Sequence, residues 1–137
     1  MIKHGKFTAD DDDIGMRLVK IRNQIISLIH EYAITEIAFE DIQLQGNVVN
    51  NVSTFKILSE VFGVVQELAT ELKIPYTVVS SNTWKSTMKI GKSKREEEKR
   101  RAQALVEQLF QIKATQDEAD AICLGAHIVI NNRKNWD

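Results

Sequence analysis

A chain of 137 residues, 43% hydrophobic and 27% charged, has the size and composition of one ordinary globular domain, which argues against wholesale disorder and against two full domains. No apolar run is long enough to span a bilayer, the opening Met1-Ile2-Lys3-His4-Gly5-Lys6 lacks the apolar segment of a secretory signal, and the single cysteine, Cys123, cannot close an internal disulfide; a cytoplasmic protein without membrane contact is the expectation. The net charge of −1 hides a local concentration, because Lys85, Lys89, Lys92, Lys94, Arg95, Lys99, Arg100 and Arg101 fall in one stretch against only Glu96, Glu97 and Glu98.

One proline and six glycines leave few interruptions, so the elements should be long. Ile14, Leu18, Ile21, Ile25, Leu28, Ile29 and Tyr32 recur every three or four residues and predict an amphipathic helix, with Asp12 or Asp13 as its cap. Ile34 to Ile42 is short, β-branched and partly alternating, which predicts a strand that ends in the adjacent acids Glu40 and Asp41. After the polar stretch Gln43 to Asn51, the spacing of Phe55, Leu58, Val61, Phe62, Val65, Leu68, Ala69 and Leu72 predicts a second helix. Pro75 then opens Tyr76 to Ser80, which reads as a buried strand of a parallel sheet and completes a βαβ unit.

Ser81-Asn82-Thr83-Trp84 offers caps for a short helical turn, and Lys89 to Ser93 reads as an exposed loop. A third long helix from about Lys94 to Phe110 should turn Ala102, Leu105, Val106, Leu109 and Phe110 inward. Thr115-Gln116-Asp117-Glu118 matches a capping box and opens a final, mostly apolar helix carrying Ala119, Ile122, Cys123, Ala126 and Ile130.

Three acids stand out within this order. Glu40 ends an apolar strand, where α/β sheets bind ligands beyond the strand ends, and Asp117 and Asp120 share one face of the last helix. If that helix crosses the strand end, the three converge. Carboxylates in a cluster repel unless a cation joins them, oxygen-only ligation suits Mg²⁺, and a two-metal arrangement would activate water against a phosphodiester. The alternative is that Asp117 and Asp120 only complement the helix dipole, at about 0.3–1 kcal/mol each, and that Glu40 is a solvated strand end. Asp41 should point to the opposite face. Cys123 and His127 read as packing residues, and Trp84 either packs or stacks on a base. The basic stretch either contacts phosphates or forms a salt-bridged helix face; its place between the second strand and the acidic helix favours phosphate.

Taken together these residues resemble the RuvC-type Holliday junction resolvases, particularly the smaller phage-like members, over nearly the whole chain. Gly5-Lys6-Phe7, the helix containing Arg17-Leu18, and Ile37-Ala38-Phe39-Glu40 are similar to the family's third strand, first helix and fourth strand with its acid, and Asp117-Glu118-Ala119-Asp120-Ala121 is similar to the start of its last helix. The resemblance implies an α/β, ribonuclease H-like fold in which helices pack on a small mixed sheet, here a single domain over residues 1–137. It implies Glu40, Asp117 and Asp120 as catalytic, Mg²⁺-binding carboxylates (with Mn²⁺ as a substitute), Lys85, Lys89, Lys92, Lys94 and Arg95 against the DNA backbone, and a homodimer that cuts four-way or branched DNA with a water nucleophile.

The sequence departs from that pattern at one end. Family members open with a hydrophobic hairpin whose first strand carries a further aspartate, and neither strand is recognisable here; Asp10 to Asp13 read as a helix cap, not as that ligand. An N-terminally incomplete fold is therefore expected, with weaker metal binding. The edge of the Ile34 to Ile42 strand should be covered by a second copy or by the N-terminal segment. Two other functions fit the same residues: a dimeric junction-binding protein that does not cut, and another ribonuclease H-like nuclease acting on RNA or DNA ends.

Overall fold

A computed structural model describes residues 2–42 and 48–134. Its elements are α1 (Ile14–Tyr32), β1 (Ile37–Glu40), α2 (Val48–Glu71), β2 (Tyr76–Val79), α3 (Ser81–Thr87), α4 (Arg95–Phe110) and α5 (Gln116–Lys134). Strands β1 and β2 form a two-stranded parallel sheet with α2 as the crossover. The first part of the polar link before α2, residues 43–47, lies outside the described residues. Among the described residues, no helix is long and apolar enough to cross a membrane.

Local chemistry explains where the helices begin. Asp13 caps α1, its carboxylate accepting from the Met16 amide at 3.0 Å. Ser80 caps α3 by accepting from the Thr83 amide at 3.2 Å, so this helix follows directly on β2. The capping box before α5 forms in both directions: the Glu118 amide donates to Thr115 Oγ1 at 3.2 Å, and the Thr115 amide donates to Glu118 Oε1 at 3.3 Å. At the other ends, Ala33 and Gln111 turn left-handed, with φ of 51° and 56°, to close α1 and α4.

The chain forms two compact units. The first contains the N-terminal residues through Lys6, Ala38–Glu40 and the chain from Val78 onward. In it α5 packs against both α3 and α4, around a core of Val79, Trp84, Met88, Ile90, Ala102, Val106, Ala119, Ile122, Cys123 and Leu124. The second contains Phe7–Ile37 and Asp41–Thr77. There α1 packs on α2, Ile29, Leu68 and Ala69 are buried, and Arg22 Nη2 pairs with Glu71 Oε1 at 3.0 Å.

Several expectations are corrected. Gly5-Lys6-Phe7 is not a strand; residues 2–11 hold neither helix nor strand, because no described strand lies beside them to complete a ladder. Strand β1 is shorter than Ile34 to Ile42 for the same reason, its ladder extending only as far as β2 does. In β2 only Val79 is buried while Tyr76 and Thr77 are exposed, so the strand is not buried along its length as expected; a parallel strand is buried only where helices cover its faces. On α4 the inner stripe is narrower than its apolar spacing suggests: Ala102 and Val106 are buried, but Leu109 is exposed. Phe55, Leu58 and Leu72, which share the helical spacing of α2, are exposed as well.

Candidate active site

Glu40 is the last residue of β1, and its backbone position carries the side chain past the strand end, where it is exposed. There its Oε2 accepts a hydrogen bond from Trp84 Nε1 at 2.8 Å. Trp84 is 1% exposed and belongs to the core of the same unit, so the donor is held by packing. The capping box fixes the first turn of α5, placing Asp117 in that turn and Asp120 one turn further along the same face.

Asp120 is half-buried, and burial raises its carboxyl above the ordinary aspartate range. Lys99 opposes that shift, its Nζ lying 3.8 Å from Asp120 Oδ2, and Lys85 opposes it from further away; the charges of Glu40 and Asp117 push the carboxyl higher still. Asp120 therefore lies within the fields of both other acids that the sequence singled out. Carboxylate oxygens are the kind of ligand a hard divalent cation takes. Among the described residues, no three His, Cys, Asp or Glu side chains are grouped so as to hold a metal ion.

The neighbouring acids have other tasks. Glu118 caps α5 and pairs with His4, contacts that hold its carboxyl below the usual glutamate range. Asp41 belongs to the other unit, and its carboxylate accepts from the Ile42 amide at 2.9 Å. His127 is buried, with Nδ1 2.8 Å from Thr87 Oγ1 and Nε2 3.2 Å from Asn131 Nδ2, which makes it a packing residue between α3 and α5. Cys123 is a buried core thiol.

The basic residues divide by environment. Lys85 donates to Glu98 Oε2 at 3.2 Å and sits 5.6 Å from the centroid of the Trp84 ring. Lys89, Lys92, Lys94 and Arg95 are exposed on the loop between α3 and α4 and at the start of α4. That loop is pinned: Arg101 Nη1 donates to the Ile90 carbonyl at 3.2 Å, and the Ser93 amide donates to Glu98 Oε1 at 3.2 Å. Gly91 adopts a φ of 76°, and a Cβ there would lie 3.3 Å from Arg101 Nη1, so glycine suits both the turn and the close approach.

Two contacts at the site are not visible in the sequence pattern. Lys99 stands on the inward stripe of α4 with Ala102 and Val106, three and seven residues on, and a lone lysine on an apolar face was the available signal. Trp84 was read as packing or stacking; that a buried indole N–H requires an acceptor, and that the acceptor is Glu40, becomes visible only in the fold.

A family model described as crossover junction endodeoxyribonuclease RuvC matches residues 1–127. The chain belongs to the RuvC family. Among solved structures, Thermus thermophilus RuvC in complex with a Holliday junction substrate is similar, with a TM-score of 0.72 and 15% identity over 94% of this chain and 75% of that one. A second Thermus thermophilus RuvC structure gives a TM-score of 0.67 and 15% identity over 93% of this chain and 76% of that one. No curated protein matches. The fold of this RuvC-family chain is thus the ribonuclease H-like one that the sequence resemblance implied, with two strands described.

Proposed function

We propose that this RuvC-family chain is a structure-selective DNA endonuclease that resolves four-way junctions by Mg²⁺-dependent phosphodiester hydrolysis, Mn²⁺ substituting, and that Glu40, Asp117 and Asp120 hold the cation. The observation that carries the reading is that one compact unit holds Glu40 at the end of β1 and Asp117 and Asp120 in the first turns of α5, with the charges of Glu40 and Asp117 both acting to raise the Asp120 carboxyl. When bound, such a cation polarises the phosphodiester and makes water a nucleophile near neutral pH. Family membership supports the reaction class, and the similar Thermus structure that holds a Holliday junction substrate supports the DNA partner.

The chain's own residues supply the rest. Glu40 and Asp117 are exposed, while half-buried Asp120, whose ionised form burial disfavours, gains from a nearby cation. Lys89, Lys92, Lys94 and Arg95 offer exposed charge to backbone phosphates from a pinned loop, which limits the ordering needed on binding. A homodimer would present two such sites to two of the four strands of a junction, in a cytoplasmic setting.

The test is a labelled four-way junction read for gel shift and cleavage in the same tube, with and without Mg²⁺. Cleavage only with the metal, lost in Asp117→Asn and Asp120→Asn while the shift remains, supports the assignment. A shift without cleavage at any metal concentration would make the chain a junction-binding protein instead, and preference for RNA or linear ends would place it among other ribonuclease H-like nucleases.

A further inference from the structure

We infer that Trp84 is a positioning residue for Glu40: its indole N–H fixes one carboxylate oxygen so that the other is presented to a cation. The inference rests on the reading of Glu40 as a metal-holding carboxylate. Trp84 is among the largest fully buried side chains of the protein, packed in the core of its unit, and α3 carries it immediately after β2. Its Nε1 donates to Glu40 Oε2 at 2.8 Å, within the range of a good charge-assisted hydrogen bond.

The geometry assigns unequal roles to the two partners. A glutamate at an exposed strand end has three side-chain torsions to restrain, and every unrestrained torsion costs entropy when a ligand must be held. An indole wedged in the core has none left to lose. The bond therefore hands the rigidity of the core to an otherwise mobile carboxylate, and it engages Oε2 alone. A donor of this kind behind a metal-ligating side chain typically changes metal affinity by about 10–100-fold when removed. Lys85, 5.6 Å from the same ring's centroid, adds positive charge near this assembly, balanced by its pairing with Glu98.

The experiment uses Mn²⁺ alone as the probe, on the full chain without DNA. Its affinity is measured by electron paramagnetic resonance for the native chain, for Trp84→Phe, and for the chain with benzothienylalanine at position 84, which keeps the ring shape and lacks the N–H. Both replacements are expected to weaken Mn²⁺ binding about tenfold or more, with the benzothienylalanine chain retaining the native circular dichroism spectrum. Native affinity in that folded chain overturns the inference, whatever becomes of Trp84→Phe. Glu40→Gln separates the two layers: if it too binds Mn²⁺ as the native chain does, the metal reading of Glu40 fails and the inference with it. If Glu40→Gln loses binding and the benzothienylalanine chain does not, only the role of Trp84 fails. As an independent readout, Mn²⁺ should quench the fluorescence of Trp84 in a Trp136→Phe background, where it is the one remaining tryptophan; unquenched emission at saturating Mn²⁺ would also overturn the inference.

Discussion

Lys99 on α4 reaches α5 to place its Nζ 3.8 Å from Asp120 Oδ2, with both side chains largely shielded from solvent. The pair is an incomplete compensation. Burial raises the Asp120 carboxyl, Lys99 pulls it back, and Glu40 and Asp117 push it up again, leaving it above the ordinary range. An acid whose pKa is raised by folding binds its proton more tightly in the native state. Its ionised form therefore destabilises the fold above the native pKa, and the penalty fades as pH falls through that value towards the unfolded one.

Asp120→Asn is accordingly expected to raise the melting temperature at neutral pH while abolishing cleavage. Each kcal/mol relieved moves the midpoint by about 3–5 °C in a chain of this size. The gain should shrink as pH falls below the raised carboxyl value, where aspartic acid is itself neutral. Lys99→Met should do the opposite, lowering the neutral-pH midpoint by removing the opposing charge. Thermal melts across the acidic range check both signs, and a destabilised Asp120→Asn chain would contradict the account of the site as strained by its own charge.

A second expectation concerns Cys123. Burial first, and then the charge of Asp120, push its thiol up to about 11. At neutral pH that leaves about two orders of magnitude less thiolate than a cysteine at the ordinary value of 9.0, in a side chain that is fully buried. The native chain should therefore resist a disulfide reagent such as DTNB at neutral pH and react stoichiometrically once unfolded in guanidinium. Rapid native reaction would mean that the core around α5 opens readily.

The basic loop yields a prediction about salt. Each phosphate neutralised contributes about 0.9 to the slope of log affinity against log salt. Replacing Lys92, Lys94 and Arg95 together with alanine should weaken junction binding and flatten that slope by about 2–3, with little change in melting temperature because all three are exposed. An unchanged slope would remove this loop from the DNA contact. Lys85 makes a contrast: paired with Glu98 and close to Trp84, it should matter for stability as well as for binding.

The sequence revealed what is local. Apolar spacing located the four long helices and capping residues the short α3, although α2 begins at Val48, inside the stretch expected to be a polar link, and the caps at Asp13 and at Thr115 with Glu118 form as their side-chain chemistry dictates. The acids were legible for a similar reason, since a charged residue closing an apolar strand or opening an apolar helix stands out against its neighbours. What stayed hidden is what depends on pairing across the fold. Trp84 and Glu40 are 44 positions apart, and no pattern in either segment announces their bond. Gly5 to Phe7 failed as a strand because β-structure is a property of partners, and a segment's own composition cannot say whether a partner lies beside it. Exposure of Leu58 and Leu109 has the same origin: helical periodicity identifies an apolar face but not what covers it.

Those exposed apolar side chains support a last prediction, on assembly. In the unit formed by α1 and α2, Phe55, Ile57 and Leu58 on α2 are 37%, 40% and 48% exposed, and Met16 and Val19 on α1 are 46% and 47% exposed. A contiguous patch of exposed apolar side chains marks an association surface, Phe55 and Leu58 lie three apart on α2, and RuvC-family proteins act as dimers. The chain is expected to sediment as a homodimer. Leu58→Glu should shift it to monomer while leaving the melting temperature within a few degrees of native at low concentration, because an exposed leucine contributes little to the packing of a single chain. Cleavage should then fall with dissociation and recover in part at high protein concentration, since mass action restores the dimer. A native chain that stays monomeric at every concentration tested would remove the α1 and α2 surface from consideration and leave junction binding to one copy.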